Sequence, residues 1–242
     1  MVGKPCVTER RIIVGKGGSF EGEISKRLSL WFSDGKDESV FWRTSSSGAR
    51  ATMRRKNNKD VQADDFGDLK AESPMGRPLT DFFSIELKTG YAKKAKSKAK
   101  KYGDKEVIKI TNWDILDAID SNQIKPQFYE FWEQAESDSN KASKEPLLIF
   151  RRNNKQPCIA MYTDIFNTFV KRCGHPEFEF LSLNFCSENL CFPSISICNL
   201  YKFFEWTQGK IKPIEKEDGT YQCPFIILNL KRTLYKRGRG IK

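Results

Sequence analysis

Residues 66–90, FGDLKAESPMGRPLTDFFSIELKTG, constrain this chain more than any other stretch. They read as two short strands, about 66–72 and 81–88, joined by a Pro/Gly turn. The first carries Asp68. The second is apolar through Phe82, Phe83 and Ile85, then places Glu86 and Lys88 two residues apart. Side chains of a strand alternate, so Glu86 and Lys88 share one face and Leu87 takes the other. With Asp68 lying across from them, two carboxylates and an ammonium converge at one spot. A hairpin with a solvated acidic and basic face fits the same letters. The tripeptide acid–x–lysine also recurs at Asp34-Gly35-Lys36 and Asp68-Leu69-Lys70, so the pattern needs its context.

The context is an alternation of helices and strands. Lys16–Ser19 reads as a loop ending at a Ser N-cap. Residues 20–32 then form an amphipathic helix with Phe20, Ile24, Leu28 and Trp31 on its buried stripe. Glu21 and Glu23 fall in its first turn, where acidic residues suit the positive helix end. Val40–Thr44 is a short strand, and 45–63 a polar, basic loop. After the 66–90 segment comes a lysine-rich run, 91–102. Residues 112–136 read as mainly helical, interrupted near Pro126, and SDSNKASKE as a polar linker. Two strands, 147–151 and 157–162, turn at Asn153-Asn154, and 164–172 is a further helix. The result is an α/β fold: a mixed central sheet flanked by helices in the order αβββαβ over residues 10–172. Residues 173–242 add strand-like runs and one helix, LYKFFEWTQ, expected as an α+β extension packed on that core. The aromatics of 112–136, Trp113, Phe128, Tyr129, Phe131 and Trp132, suit a core better than a stacking surface. Gln134, near the end of that helix, could face the site but is not counted among its members.

The chain has 242 residues and a net charge of +11, unevenly placed. Residues 1–110 carry +9, 111–150 carry −5 and 151–242 carry +7. Two basic ends around an acidic middle suit a polyanion such as nucleic acid, although a basic protein without such a partner has the same balance. No run is long or apolar enough to span a bilayer, and the N-terminus lacks a signal-peptide core, so no membrane partner is expected and the location is read as cytoplasmic. The seven cysteines are odd in number and form no CxxC pair. With a single histidine, His175, neither a His-based triad nor a multi-His metal site is expected.

Carboxylates beside a lysine on an apolar strand are what a Mg²⁺-dependent phosphodiesterase requires: hard oxygen ligands for the ion, with a water and a phosphate beside it. The order of elements and the run GSFEGEISKRLSLWFSDG…VFWRTSSSGARAT…GDLKA…FFSIELKTGY resemble the PD-(D/E)XK nuclease superfamily, in a phage-type branch of restriction-endonuclease-like and Holliday-junction-resolvase-like proteins. The resemblance covers roughly residues 17–162. Gly67 stands where that motif often has proline. The resemblance implies a restriction-endonuclease-like core. It also implies an endonuclease that hydrolyses DNA, duplex or branched, with Mg²⁺ (Mn²⁺ the alternative ion) held by Asp68 and Glu86. It adds Glu21 from the first helix, with Glu23 the alternative, and the backbone carbonyl of Leu87. Lys88 would orient water and steady charge on the phosphate. Arg43, Arg50, Lys93, Lys94 and Lys96 are candidate phosphate contacts. A homodimer would suit cleavage of paired strands. A nucleic-acid-binding accessory protein with this fold and little catalysis is the reading from another class.

Overall fold

The computed structural model describes residues 16–44, 67–90, 127–184, 186–187, 190–191 and 193–223. Helix α1 spans Lys16–Phe32, so the expected loop at Lys16–Ser19 is helical and Glu21 and Glu23 sit in the second turn, not the first. Its stripe is as expected: Phe20, Ile24, Leu28, Trp31 and Phe32 are all buried. Two serines within that stripe do a different job. Ser25 Oγ donates to the Phe41 carbonyl at 2.6 Å, and Ser29 Oγ accepts from the Phe41 N–H at 2.9 Å. These bonds dock strand β1 (Phe41–Arg43) on the helix and satisfy backbone groups that no strand reaches on that side.

The expected hairpin of residues 66–90 does not form. Strand β2 (Leu69–Ala71) pairs antiparallel with β1, with Trp42 opposite Lys70 and Arg43 opposite Leu69. Pro74–Gly76 then makes a turn of 3-10 helix and Arg77–Phe82 a short helix, α2. These carry the chain to strand β3 (Phe83–Gly90). Two prolines placed at helix starts explain the difference, since proline's fixed φ and missing N–H favour a first helical turn as readily as a hairpin turn.

β3 pairs in parallel with β4 (Glu145–Arg152), with Glu86 level with Leu148 and Lys88 with Phe150. Parallel neighbours need a crossover. Helix α3 (Gln127–Ala142) lies between them in the chain and packs on both. The expected helix over 112–136 therefore runs further, through the first residues of the supposed linker. The buried positions Phe128, Trp132, Ala135, Ser139 and Ala142 continue one stripe, and the small residues at its end let the helix lie close. Residues 112–126 lie outside the described residues.

β4 turns back through Asn154, at a φ of 56°, into β5 (Cys158–Tyr162). Helix α4 (Thr163–Cys173) follows, then β6 (Phe180–Leu183), a small ribbon of β7 (Cys186–Ser187) and β8 (Leu190–Cys191), and β9 (Ile195–Asn199). β9 inserts between β5 and β6, antiparallel to both, so the central sheet has the mixed order β3-β4-β5-β9-β6. Helix α5 (Leu200–Thr207) returns to α1: Trp31 stacks on Phe204 at 4.8 Å, and its indole N–H donates to Thr207 Oγ1 at 2.9 Å. A last ribbon, β10 (Ile214–Glu215) and β11 (Tyr221–Gln222), closes the described chain. The protein is thus α/β, with a five-stranded mixed sheet and five helices among the described residues.

Candidate active site

Among the described residues β3 is the edge strand of the sheet, so one side of its backbone faces away from β4. Asp68 fills that side. Its N–H donates to the Ile85 carbonyl at 2.7 Å, and its carbonyl accepts from the Thr44 N–H at 2.7 Å. Its carboxylate Oδ2 accepts from the Leu87 N–H at 2.8 Å. Three bonds on three different groups pin one residue between β1 and β3, where no ladder connects β2 to β3. In an extended strand a residue's N–H and C=O leave on the same edge. The Leu87 carbonyl therefore points to the same open side as Asp68, while the Leu87 side chain is buried.

Gly67 makes this approach possible. It sits at a φ of 85°, which a proline ring cannot adopt, and a Cβ there would lie 3.1 Å from the Ile85 carbonyl oxygen and 3.2 Å from its nitrogen. The departure from the superfamily's usual proline is thus a consequence of how the chain enters β2. Gly67→Ala is expected to lower stability by about 1–3 kcal/mol, because positive φ and the close contact both penalise the methyl group. Urea denaturation checks this, and a variant as stable as the parent would show that the chain can enter β2 another way.

Glu86 lies inside the buried part of β3, its side chain only 6% exposed. The Lys88 ammonium is 2.5 Å from Oε1, and the Gln134 amide of α3 donates to the same oxygen at 3.0 Å. Both bonds fall on Oε1 and leave Oε2 outside them. Even so, burial, reinforced by the negative field of Asp68, pushes the Glu86 carboxyl up to about 7; Lys88 works against that rise. Glu21 is raised as well, first by burial and then by Asp68, while Arg43 and Lys88 pull it down. Glu21, Arg43, Asp68, Glu86 and Lys88 therefore share one electrostatic neighbourhood.

Glu23 belongs elsewhere. Arg151 Nη1 donates to its Oε2 at 2.8 Å, Tyr201 Oη donates to its Oε1 at 3.0 Å, and Arg27 lies one helical turn away at 3.7 Å. Arg151 also covers the ring of Phe20 at 4.4 Å, so this cluster ties α1 to β4 and α5. Gln134 is the contact that residue patterns place least well. Its signal is only its position on the polar side of α3. Arg50, Lys93, Lys94 and Lys96 lie outside the described residues. Among the described residues, no three His, Cys, Asp or Glu side chains gather closely enough to hold a metal as they stand. No described helix is long and apolar enough to cross a membrane.

An acid held against the open edge of a buried strand that carries Glu-x-Lys, on a mixed α/β sheet, is the arrangement that the PD-(D/E)XK resemblance implies. A family model described as "Phage putative PDDEXK endonuclease" matches residues 14–211, and the chain belongs to that family. No curated protein and no solved structure matches it at a significant level.

Proposed function

We propose that this chain is a divalent-metal-dependent endonuclease that hydrolyses DNA phosphodiester bonds on a restriction-endonuclease-like core. The observation that carries the reading is the edge of β3, where Asp68 is bonded to the Leu87 N–H beside Glu86 and Lys88. The kinds of donor suit a small, hard cation, which would have to draw the carboxylates together, since among the described residues no three gather closely enough as they stand. Glu86 is a buried carboxylate whose charged form is disfavoured by burial and by Asp68, and a lone lysine only partly offsets this. Hard oxygen donors that repel one another suit Mg²⁺, with Mn²⁺ the alternative. Asp68, Glu86, Glu21 and the Leu87 carbonyl would hold the ion, which when bound supplies positive charge and an activated water.

The remaining chemistry belongs to the protein. Lys88, anchored on Glu86, presents its ammonium on the same face. There it would orient the attacking water and stabilise the charge that grows on the phosphate. Gln134 fixes the Glu86 rotamer by holding Oε1 from α3. Arg43, whose field reaches Glu21, would contact a phosphate next to the one attacked. The basic N-terminal portion of the chain supplies salt-sensitive affinity for the DNA backbone. Resolution of a branched DNA would need two such sites and hence a two-fold dimer.

The test is a titration of Mg²⁺ and Mn²⁺ against supercoiled plasmid, single-stranded DNA, a four-way junction and an RNA of matched sequence. Metal-dependent cleavage of DNA is expected. Binding to DNA with no cleavage under either ion would instead support the accessory, non-catalytic reading.

A further inference from the structure

Trp42 is an aromatic side chain left out of the core beside this site. Its indole is 54% exposed, whereas Trp31 and Trp132 are buried at 7% and 4%. Its neighbours on β1 explain the position. Phe41 is fully buried beneath α1, and Arg43 stands in the field of Glu21. Strand alternation turns Trp42 to the opposite, outer face of the β1–β2 ribbon. There it lies across from Lys70, which pairs with Glu72 at 2.6 Å, and it lines an open groove with Ser39, Glu72 and Ser73.

That outer face is close to the site. Asp68 lies two residues along from Lys70, about 7 Å at the rise of a strand. The Thr44 N–H bond to the Asp68 carbonyl continues the ribbon's contact to the candidate metal ligand itself. A polynucleotide whose attacked phosphate sits at Asp68 and Glu86 therefore has, along the ribbon from Asp68, an exposed indole across from Lys70. An indole offers a π-face to any base, so stacking there needs no particular sequence.

We propose that Trp42 stacks on an unpaired nucleobase next to the scissile phosphate, so that the preferred substrate carries unpaired bases there: a single strand, a branch point or a frayed end. The inference rests on the nuclease reading and narrows its substrate. Within a continuous duplex each base is already stacked on its neighbours, and the indole has nothing to receive.

The experiment measures binding apart from cleavage, by fluorescence anisotropy of the full chain carrying Glu86→Gln. The labelled ligands are single-stranded DNA, a four-way junction with unpaired bases at its centre, and a closed circular duplex used as competitor. Trp42→Ala is expected to weaken the single strand and the junction about 10- to 100-fold and to leave competition by the circular duplex within about threefold. Trp42→Phe keeps a stacking ring and should restore most of the loss. In the parent, single-stranded DNA should quench a component of tryptophan emission that Trp42→Ala lacks.

Equal weakening on every ligand, or none on any, overturns the stacking role while leaving the nuclease reading standing. Conversion of a dimer to a monomer by Trp42→Ala in sedimentation also overturns it, because the indole then belongs to a protein interface. A parent chain that binds no nucleic acid at all refutes both readings together.

Discussion

Asp68→Asn and Glu86→Gln are each expected to reduce metal-dependent cleavage by roughly 10³-fold or more without unfolding the protein. The amides are chosen over alanine because of what the carboxylates hold. In Asp68→Asn the side-chain carbonyl oxygen can still accept the Leu87 N–H, so the contact between β1, β2 and β3 survives. In Glu86→Gln the side chain still presents an oxygen to Lys88 and Gln134. What each variant loses is charge, which is what a divalent ion needs and what an apolar fold does not. Cleavage is read on whichever DNA the parent cuts, and folding by thermal melting without metal. Retention of activity within about tenfold in either variant would remove that carboxylate from the proposed metal set. Lost activity with a collapsed melting transition would mean instead that the charge itself holds the edge of β3 together.

Without metal, stability should fall as pH rises from about 5 to about 8, by as much as about 3 kcal/mol from Glu86 alone. The sign follows from the direction of the shift. Glu86 is raised from an ordinary 4.5 to about 7, so the folded state holds its proton more tightly than the unfolded chain does. That preference contributes fully below about 4.5 and is lost as pH climbs through about 7. Burial is its largest cause, Asp68 across the edge adds to it, Lys88 on the same strand opposes it, and Asp138 on α3 adds a smaller push. Glu21 titrates in the same direction. A divalent ion competes with that proton, so saturating Mg²⁺ should add little stability near pH 5 and most near pH 8, flattening the slope. Calorimetry at several pH values, with chelator and with metal, measures both parts. An unchanged pH slope in Glu86→Gln would show that some other group carries it.

How far the residues could be read depends on the distance over which each contact acts. The stripe of α1, the strand at Val40–Thr44, the turn at Asn153-Asn154 and the pairing of Glu86 with Lys88 are local, set by period and by neighbours a few positions away. The partner of β2 was not legible. Its strand and β3 are close in the chain, so the residues by themselves favour a hairpin. Yet β2 is held by β1 across a stretch of some 28 residues, and α2 occupies the place of the turn. Gln134 reached Glu86 from 48 positions away, a contact that no spacing rule ranks above its neighbours. The central place of β9 is not written in neighbouring residues for the same reason, since pairing between β5 and β9 spans the whole of α4 and β6.

By itself the sequence determined the elements and the chemical kinds of the site: an α/β chain, basic at both ends, with an acid on one strand and Glu-x-Lys on another. Periodicity and side-chain alternation act within an element, and they are written in consecutive residues. Only the tertiary structure decided which groups meet. It set Asp68 against the open edge of β3 by two hydrogen bonds, tied it to Thr44 by a third, and gave Glu23 to Arg151 and Tyr201. It left Trp42 outside the core. Those outcomes depend on burial and on bonds between distant segments, and these exist only once the sheet has formed.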